Sequence, residues 1–357
     1  MSPYIHAASI LLLILSHASA SAQDAQGIGV MGDSFSDEYQ FYPPDRTAGR
    51  NWVEILAATR HLNFGRFSAS ARPEPRNQGY EFNWARSNAT TGELLAQGQH
   101  TGLAAQVAAG HVSIVVAFIG GNDFIGALRS PDPCGTVASR EEQARENVTR
   151  ALTTILRASP HVRLLVGTVP ELRDMPEFRE AVATGKISRE SMDAVADAIR
   201  RYNAYLRAFA AREKRVAIID LYLVTRLGRS LSGRYVNAGG RALDRFHSGN
   251  DDEHFFLADG RHVGTIGQGM LAKLIVDTFN DRFRTGIPPL TIHEIVDFAR
   301  SLPASRPEGP PACRPSRCRS AGNGIRRARG VRPLSRRAFH GKFGLDRSYT
   351  RSAARPA

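Results

Sequence analysis

Three short stretches carry the residues whose types and spacing can do chemistry. They are Ser34 in Gly32-Asp33-Ser34-Phe35-Ser36-Asp37, Asn122 in Gly120-Gly121-Asn122-Asp123, and the pair in Asp259-Gly260-Arg261-His262. A serine hydroxyl is a poor nucleophile alone; it needs a base, an acid that orients the base, and donors for the oxyanion. An Asp three residues before a His, on a turn, can set its carboxylate under the imidazole. The carboxylate then holds Nδ1–H and leaves Nε2 free to take the serine proton. The Asn122 amide donates without ionising, which suits the oxygen of a tetrahedral intermediate and is worth about 3 kcal/mol of barrier. Each stretch also has a plainer reading: Asp-x-x-His is common in surface loops, and Gly-Asn-Asp is good turn chemistry.

The elements that must position these residues are legible around them. Gly27–Met31 is a short apolar run that reads as a buried parallel strand, placing Ser34 at its carboxyl end, where open α/β folds bind ligands. Val112–Ile119 is the clearest buried strand and runs straight into Gly120. Further strands are expected at Val162–Val169, stopped by Pro170, at Val216–Ile219, closed by Asp220, and for a short length within Leu62–Phe67. Helical patterns fall between them: around Trp52, Ile55 and Leu56, over Thr91–Gly98 and Leu103–Ala109, over Ser139–Ala158 with Ser139 and Glu142 spaced as a capping box, and over Ile187–Ala211 from Ser188. Gly264–Phe283 reads as the last strong helix, and Thr291–Arg300 adds a short one. Ser68–Gly79 and the Gly/Asp/His-rich Ser232–Phe256 read as loops, and His254 with Asp251, Asp252 and Glu253 as solvated loop residues. Strands alternating with helices predict an α/β fold: a central, mostly parallel sheet covered on both faces.

Composition bounds the function. The chain has 357 residues, 42% of them hydrophobic, enough for a large core, with a formal charge of +13. Fourteen Lys/Arg against Glu308 and Asp346 give residues 301–357 a net of +12, which leaves about +1 for the rest. The basic character therefore belongs to an Arg/Pro-rich tail without apolar period, expected to be disordered, and no nucleic-acid partner is expected. The tail reads as a solvated extension or out-of-frame sequence rather than a polybasic arm. Ile10–Leu15 forms an apolar h-region ahead of the small residues 18–22, the pattern of a signal peptide over 1–22 cleaved after Ala22. That run is too short for a stable membrane span, so a secreted, periplasmic or extracellular location is expected. Cys134, Cys313 and Cys318 make no disulfide framework or zinc-like set, and no cofactor or metal is expected. Asn88-Ala89-Thr90 and Asn147-Val148-Thr149 match a short glycosylation pattern that carries no weight inside a cleft.

The three stretches, in this order, resemble the blocks of the SGNH (GDSL-type) hydrolases, over roughly residues 27–283. The resemblance implies a three-layer α/β/α sandwich, flavodoxin-like in layout, over residues 23–300. It also implies ester hydrolysis through an acyl-serine, with Ser34 as nucleophile, His262 as base and Asp259 as its partner. The Ser34 N–H and the Asn122 side chain would be oxyanion donors, with Gly121 and Asp123 as candidate substrate contacts. The block that normally supplies a glycine N–H as third donor matches Asn83–Thr91, and Asn88 stands where that glycine is expected. Asn tolerates a left-handed backbone, so weakened rather than abolished activity is expected, with Asn88→Gly raising turnover. Val263 replaces the usual proline after the histidine.

The leading expectation is a secreted serine esterase acting on short or medium acyl esters, either lipid or O-acetyl-carbohydrate. Tyr39, Phe41, Tyr42, Trp84 and Phe124 are candidates for the pocket wall or ordinary core. The alternative is a non-catalytic glycan- or surface-binding module on the same fold. An α/β-hydrolase is disfavoured, because Ser36 stands where the second glycine of its Gly-x-Ser-x-Gly elbow belongs.

Overall fold

The computed structural model of the chain describes residues 27–69 and 78–302. The expected leader at 1–22, the tail beyond Leu302, and Cys313 and Cys318 lie outside these residues.

In chain order the first elements are strand β1 (Ile28–Gly32), helix α1 (Trp52–Arg60), and the short strands β2 (Phe67–Ser68) and β3 (Gly79–Tyr80). Then come α2 (Thr91–Ala96), α3 (Gln99–Ala108), β4 (Ile114–Phe118), α4 (Gly121–Leu128), α5 (Pro133–Ala158) and β5 (Arg163–Gly167). They are followed by α6 (Pro176–Ala183), α7 (Arg189–Arg212), β6 (Val216–Ile219), α8 (Leu221–Ser232), and β7 (Tyr235–Ala238). The last are β8 (Arg241–Ser248), β9 (His254–Phe256), α9 (Thr265–Thr278) and α10 (Ile292–Ser301).

The central sheet has the order β1-β4-β5-β6, with every pair parallel. Successive side chains of a strand point to opposite faces, and here both faces are apolar. Met31, Val115, Ala117, Leu164 and Val166 pack with residues of α3, α4, α5 and α7 on one side. Val30, Ile114, Val116, Phe118, Leu165 and Ala217 pack with α1, α9 and α10 on the other. This is the expected α/β/α sandwich, and burial on both faces explains why β1 and β4 read as continuous apolar runs.

Several local expectations are corrected. The long helix α5 starts at Pro133, not Ser139: Asp132 caps it by accepting from Gly135 N at 3.0 Å, and a proline is favoured in the first turn. Ser139 lies inside the helix with its hydroxyl on the Thr136 carbonyl, and Cys134 sits exposed in the first turn. Of the expected 62–67 strand only Phe67 is in one; with Ser68 it pairs with Gly79–Tyr80. The segment 232–256 is no loop: β7 and β8 form an antiparallel hairpin and β9 pairs parallel with β8. Gly239 and Gly240 at its turn have φ of 58° and 83°, the conformation a two-residue hairpin turn requires. Helix α9 is shorter than read, since a π turn over Phe279–Phe283 follows it.

The end of β1 is the tightest point of the frame. Gly32 has φ 150°, and a Cβ there would lie 2.1 Å from the Phe118 carbonyl oxygen on β4. Gly32 N–H donates to Gln99 Oε1 at 2.9 Å and its carbonyl accepts from Arg86 N at 3.0 Å. The chain then folds into a turn in which the Asp33 carbonyl accepts from Ser36 N and Asp37 N, and Asp33 Oδ1 accepts from Phe35 N at 3.0 Å. Burial pushes the Asp33 carboxyl up to about 7, the Phe35 amide opposes this, and the nearby Asp123 adds to it.

Gly32→Ala therefore puts a side chain into backbone at a forbidden φ and should cost roughly 2–4 kcal/mol in urea melts; an unchanged midpoint would contradict this packing. For Asp33 the sign is set by a folded pKa above the unfolded one. The native state holds the proton more tightly, so stability falls as pH rises from 3.8 to about 7 and the full cost persists above that. Asn keeps the Oδ1 acceptor without the charge. Asp33→Asn should raise Tm more at about pH 8 than at about pH 5. A gain that shrank with rising pH would speak against a buried, proton-holding carboxyl.

Candidate active site

The chain between β9 and α9 is folded so that an aspartate and a histidine three positions apart share one turn. Leu257 N donates to the His262 carbonyl and Gly260 N to the Leu257 carbonyl, both at 2.8 Å. Gly260 takes φ 68°, and a Cβ there would stand 2.9 Å from Glu177 N. Asp259 Oδ1 accepts from the backbone amides of Arg261 and His262, each at 2.9 Å. Its Oδ2 lies 2.5 Å from His262 Nδ1. Partial burial alone would raise the Asp259 pKa, but the His262 hydrogen bond and the two backbone amides outweigh it, so the carboxyl sits below its ordinary value. An ionised carboxylate can only accept, so the neutral ring takes the tautomer with its proton on Nδ1 and Nε2 as the bare nitrogen.

That bare nitrogen lies 2.7 Å from Ser34 Oγ, although the two residues are 228 positions apart in sequence. Ser34 and His262 are 7% and 8% exposed, so water competes little for the contact while substrate can still reach it. Tyr39 presents its ring to the imidazole edge-on, with centroids 5.9 Å apart, and Phe35 is tilted against it at 6.3 Å. The Tyr39 hydroxyl accepts from Gln268 Nε2 at 2.7 Å, Gln268 Oε1 accepts from Trp52 N at 3.2 Å, and Trp52 Nε1 donates to Ser36 Oγ at 3.1 Å. A chain of buried hydrogen bonds thus ties the serine turn to the start of α9. Tyr39 was a candidate for the pocket wall in the sequence; it supports the imidazole, a role that no local motif announces.

The segment 83–91 runs beside the serine turn. Asn83 Nδ2 donates to the Ser36 carbonyl at 2.8 Å, and Asp37 Oδ2 accepts from Ser87 N at 2.7 Å and Ser87 Oγ at 2.8 Å. Asn88 adopts φ 66°, the left-handed conformation that a glycine would take there, and its side chain is exposed. Asn122 Nδ2 donates to the Ala89 carbonyl at 3.0 Å, which fixes the amide and leaves its second hydrogen for another acceptor. Neither the Ser34 nor the Asn88 backbone N–H has an acceptor among the described residues.

Ser34, Asn122 and Gly121 line a narrow cleft of about 40 Å³. Most of the remaining wall is apolar, with Phe35, Phe118, Ile119, Ile125, Val169, Leu172, Met175 and Leu221, and Asp33, Thr168 and Arg261 add polar groups. Arg261 stands at the cleft with its guanidinium clamped on Glu177, both contacts at 2.7 Å. Asp123 is different. Its buried carboxylate accepts from Thr91 N at 2.9 Å and Thr91 Oγ1 at 2.7 Å, so it holds the start of α2 and does not line the cleft. Of the other aromatic candidates, Phe124 is core and Phe41 stacks on Phe67. His247 and His254 also pair through Nδ1 with an aspartate three residues earlier, at 2.8 Å to Asp244 and 2.7 Å to Asp251. Neither has a serine at its other nitrogen among the described residues.

The GDSL-like lipase/acylhydrolase family profile matches residues 30–255. No curated protein matches the chain. Among solved structures, the chain is similar to an extracellular lipase from Streptomyces rimosus, at 19% identity and TM-score 0.45, over 71% of this chain and 100% of that one. It is also similar to a Clostridium thermocellum family 3 carbohydrate esterase, at 14% identity and TM-score 0.39, over 74% and 99% of the two chains. Since the profile spans more than half of the sequence, including the serine turn and the Asn122 block, the chain belongs to the GDSL-like lipase/acylhydrolase family.

Proposed function

We propose that the protein is a secreted serine esterase that hydrolyses carboxylic esters of short or medium acyl groups through an acyl-serine. The observation that carries this reading is the 2.7 Å contact between His262 Nε2 and Ser34 Oγ, with Asp259 2.5 Å from the opposite ring nitrogen. Ser34 Oγ attacks the ester carbonyl while His262 Nε2 takes its proton, and Asp259 stabilises the imidazolium that forms. The carbonyl oxygen gains charge and is met by the Ser34 N–H, the Asn88 N–H and the second hydrogen of Asn122 Nδ2. His262 returns the proton to the departing alcohol; water then repeats the sequence on the acyl-serine. The apolar walls from Phe118 to Leu221 suit the acyl chain, and the narrowness of the cleft favours the shorter ones. Export rests on the residue pattern at 10–22, and among the described residues no helix is long and apolar enough to cross a membrane.

A panel of nitrophenyl acyl esters and acetylated sugars, run on wild type and Ser34→Ala, tests the activity and ranks the acyl groups. Ser34→Ala should lose hydrolysis by a factor on the order of 10³ or more, and Asp259→Asn by about 10³–10⁴, since Asn fixes the wrong tautomer. Undiminished hydrolysis by Ser34→Ala would end the reading.

The left-handed backbone and exposed side chain of Asn88 alter the expectation for that position. Its N–H is already oriented as a glycine's would be, so Asn88→Gly should change kcat only about twofold. Asn88→Val cannot hold the conformation and should lose roughly tenfold or more in kcat. A large gain for the glycine variant would show that the asparagine side chain obstructs the site.

A further inference from the structure

Helix α8, which the sequence did not announce, leaves one face without a partner among the described residues. Asp220 caps it by accepting from Leu223 N at 3.1 Å, and Tyr222 turns into the core. Leu223, Val224 and Leu227 are left 50%, 48% and 51% exposed. They lie at positions i, i+1 and i+4, a single stripe of the helix. Tyr235 on β7, which packs beside α8, is 48% exposed and extends the apolar surface. Such a concentration on one side of a folded chain marks a contact surface rather than scattered surface apolars.

The charge left over beside the stripe is positive, because the acids near it (Asp220, Glu171 and Asp174) are each paired with an arginine. Helix α8 carries Arg226 and Arg229 and no acid. Arg226 is exposed and has no carboxylate partner among the described residues; its guanidinium sits 5.6 Å from the Tyr222 ring centroid. The nearest acids are already engaged: Arg229 contacts Glu171 at 2.8 Å and Asp174 at 3.4 Å, and Arg245 contacts Asp174 at 3.7 Å. A second copy meeting this face about a two-fold axis would set the same arginines against themselves. An anionic, apolar-cored surface complements it. A helix with an apolar face flanked by arginines is also the form that lies in a lipid–water boundary. The helix begins at Leu221, a wall residue of the ester cleft.

We infer that the Leu223, Val224 and Leu227 face of α8, with Arg226 beside it, seats on an anionic lipid–water interface, from which lipid esters pass into the cleft at Leu221. The substrate half of this inference rests on the esterase reading; the docking half does not. The test uses the full chain and vesicles of ether-linked phosphatidylglycerol, which offer no ester to cleave, with ether-linked phosphatidylcholine as control. Cosedimentation is read at about 0.1 M salt, where charge still acts over about 10 Å. The basic residues after 301 are common to wild type and variant, so the difference between the two reports the α8 face. Equal binding of wild type to the two lipids overturns the anionic preference.

Wild type should partition onto phosphatidylglycerol at least about tenfold more than Leu223→Ser/Leu227→Ser, as two leucines' worth of apolar burial implies. Both proteins should hydrolyse soluble nitrophenyl acetate at the same rate, which also shows that the variant is folded. The variant should lose rate only on emulsified ester-linked phosphatidylglycerol. Equal partition of the two proteins overturns the inference. So does a lipid-free dimer of wild type that the double substitution dissolves. If wild type failed on nitrophenyl acetate, the esterase reading would fall, circular dichroism would report the folding, and partition would still decide the docking face.

Discussion

A hydrogen bond from a serine hydroxyl to an imidazole supplied 228 positions later can persist only if both backbones are fixed before substrate arrives. Ordering either side chain at the moment of reaction would subtract its conformational entropy from catalysis. The sheet provides the first fixed point. Strand β1 pairs with β4 along its whole length, and Gly32 meets Phe118 so closely that no other residue fits at its end. The second fixed point is the turn held by Asp259, whose one carboxylate both closes the backbone and orients the ring. Tyr39, Gln268, Trp52 and Ser36 connect the two.

Two aspartates near Ser34 show how environment, not residue type, sets the charge of a carboxyl. Asp259 accepts two backbone amides and the imidazole, and its ionised form is favoured despite burial. Asp33 accepts one amide, lies in the cleft wall and near Asp123, and burial lifts it to about 7. The charge that must be negative to stabilise an imidazolium is thus kept negative. The Asp33 carboxyl, one residue before Ser34, is instead pushed by burial towards its neutral form. His247 and His254 repeat the Asp-x-x-His pairing without the serine. The motif is therefore a way of fixing a ring, and becomes chemistry only where the sheet brings a hydroxyl to it.

The strands, their parallel order and the three blocks were legible because each is a local pattern: buried β-branched runs, a glycine before a serine, a carboxylate three residues before an imidazole. Asn122 and Ser34 share a cleft as the blocks implied, and Asn88 takes the left-handed backbone that its residue type allows. What the sequence hid depends on tertiary contact. Tyr39 supports His262 only because α9 brings Gln268 to its hydroxyl. Asp123 is adjacent to a site residue, yet its carboxylate is taken by Thr91, a partner 32 positions away. The hairpin of β7 and β8 carried a readable Gly-Gly turn, obscured by polar strands that bury few side chains. The start of α5 was misplaced because Ser139 and Glu142 imitate a cap that Asp132 and Pro133 provide earlier.

The central claim is that His262 makes Ser34 a nucleophile. Mass spectrometry after exposure to a fluorophosphonate measures this directly, because an unactivated hydroxyl does not react and the adduct can be mapped to its residue. The account predicts one adduct, on Ser34, formed rapidly by wild type and about a thousandfold more slowly by His262→Ala. Labelling at another residue, or at the same rate without the imidazole, would contradict it.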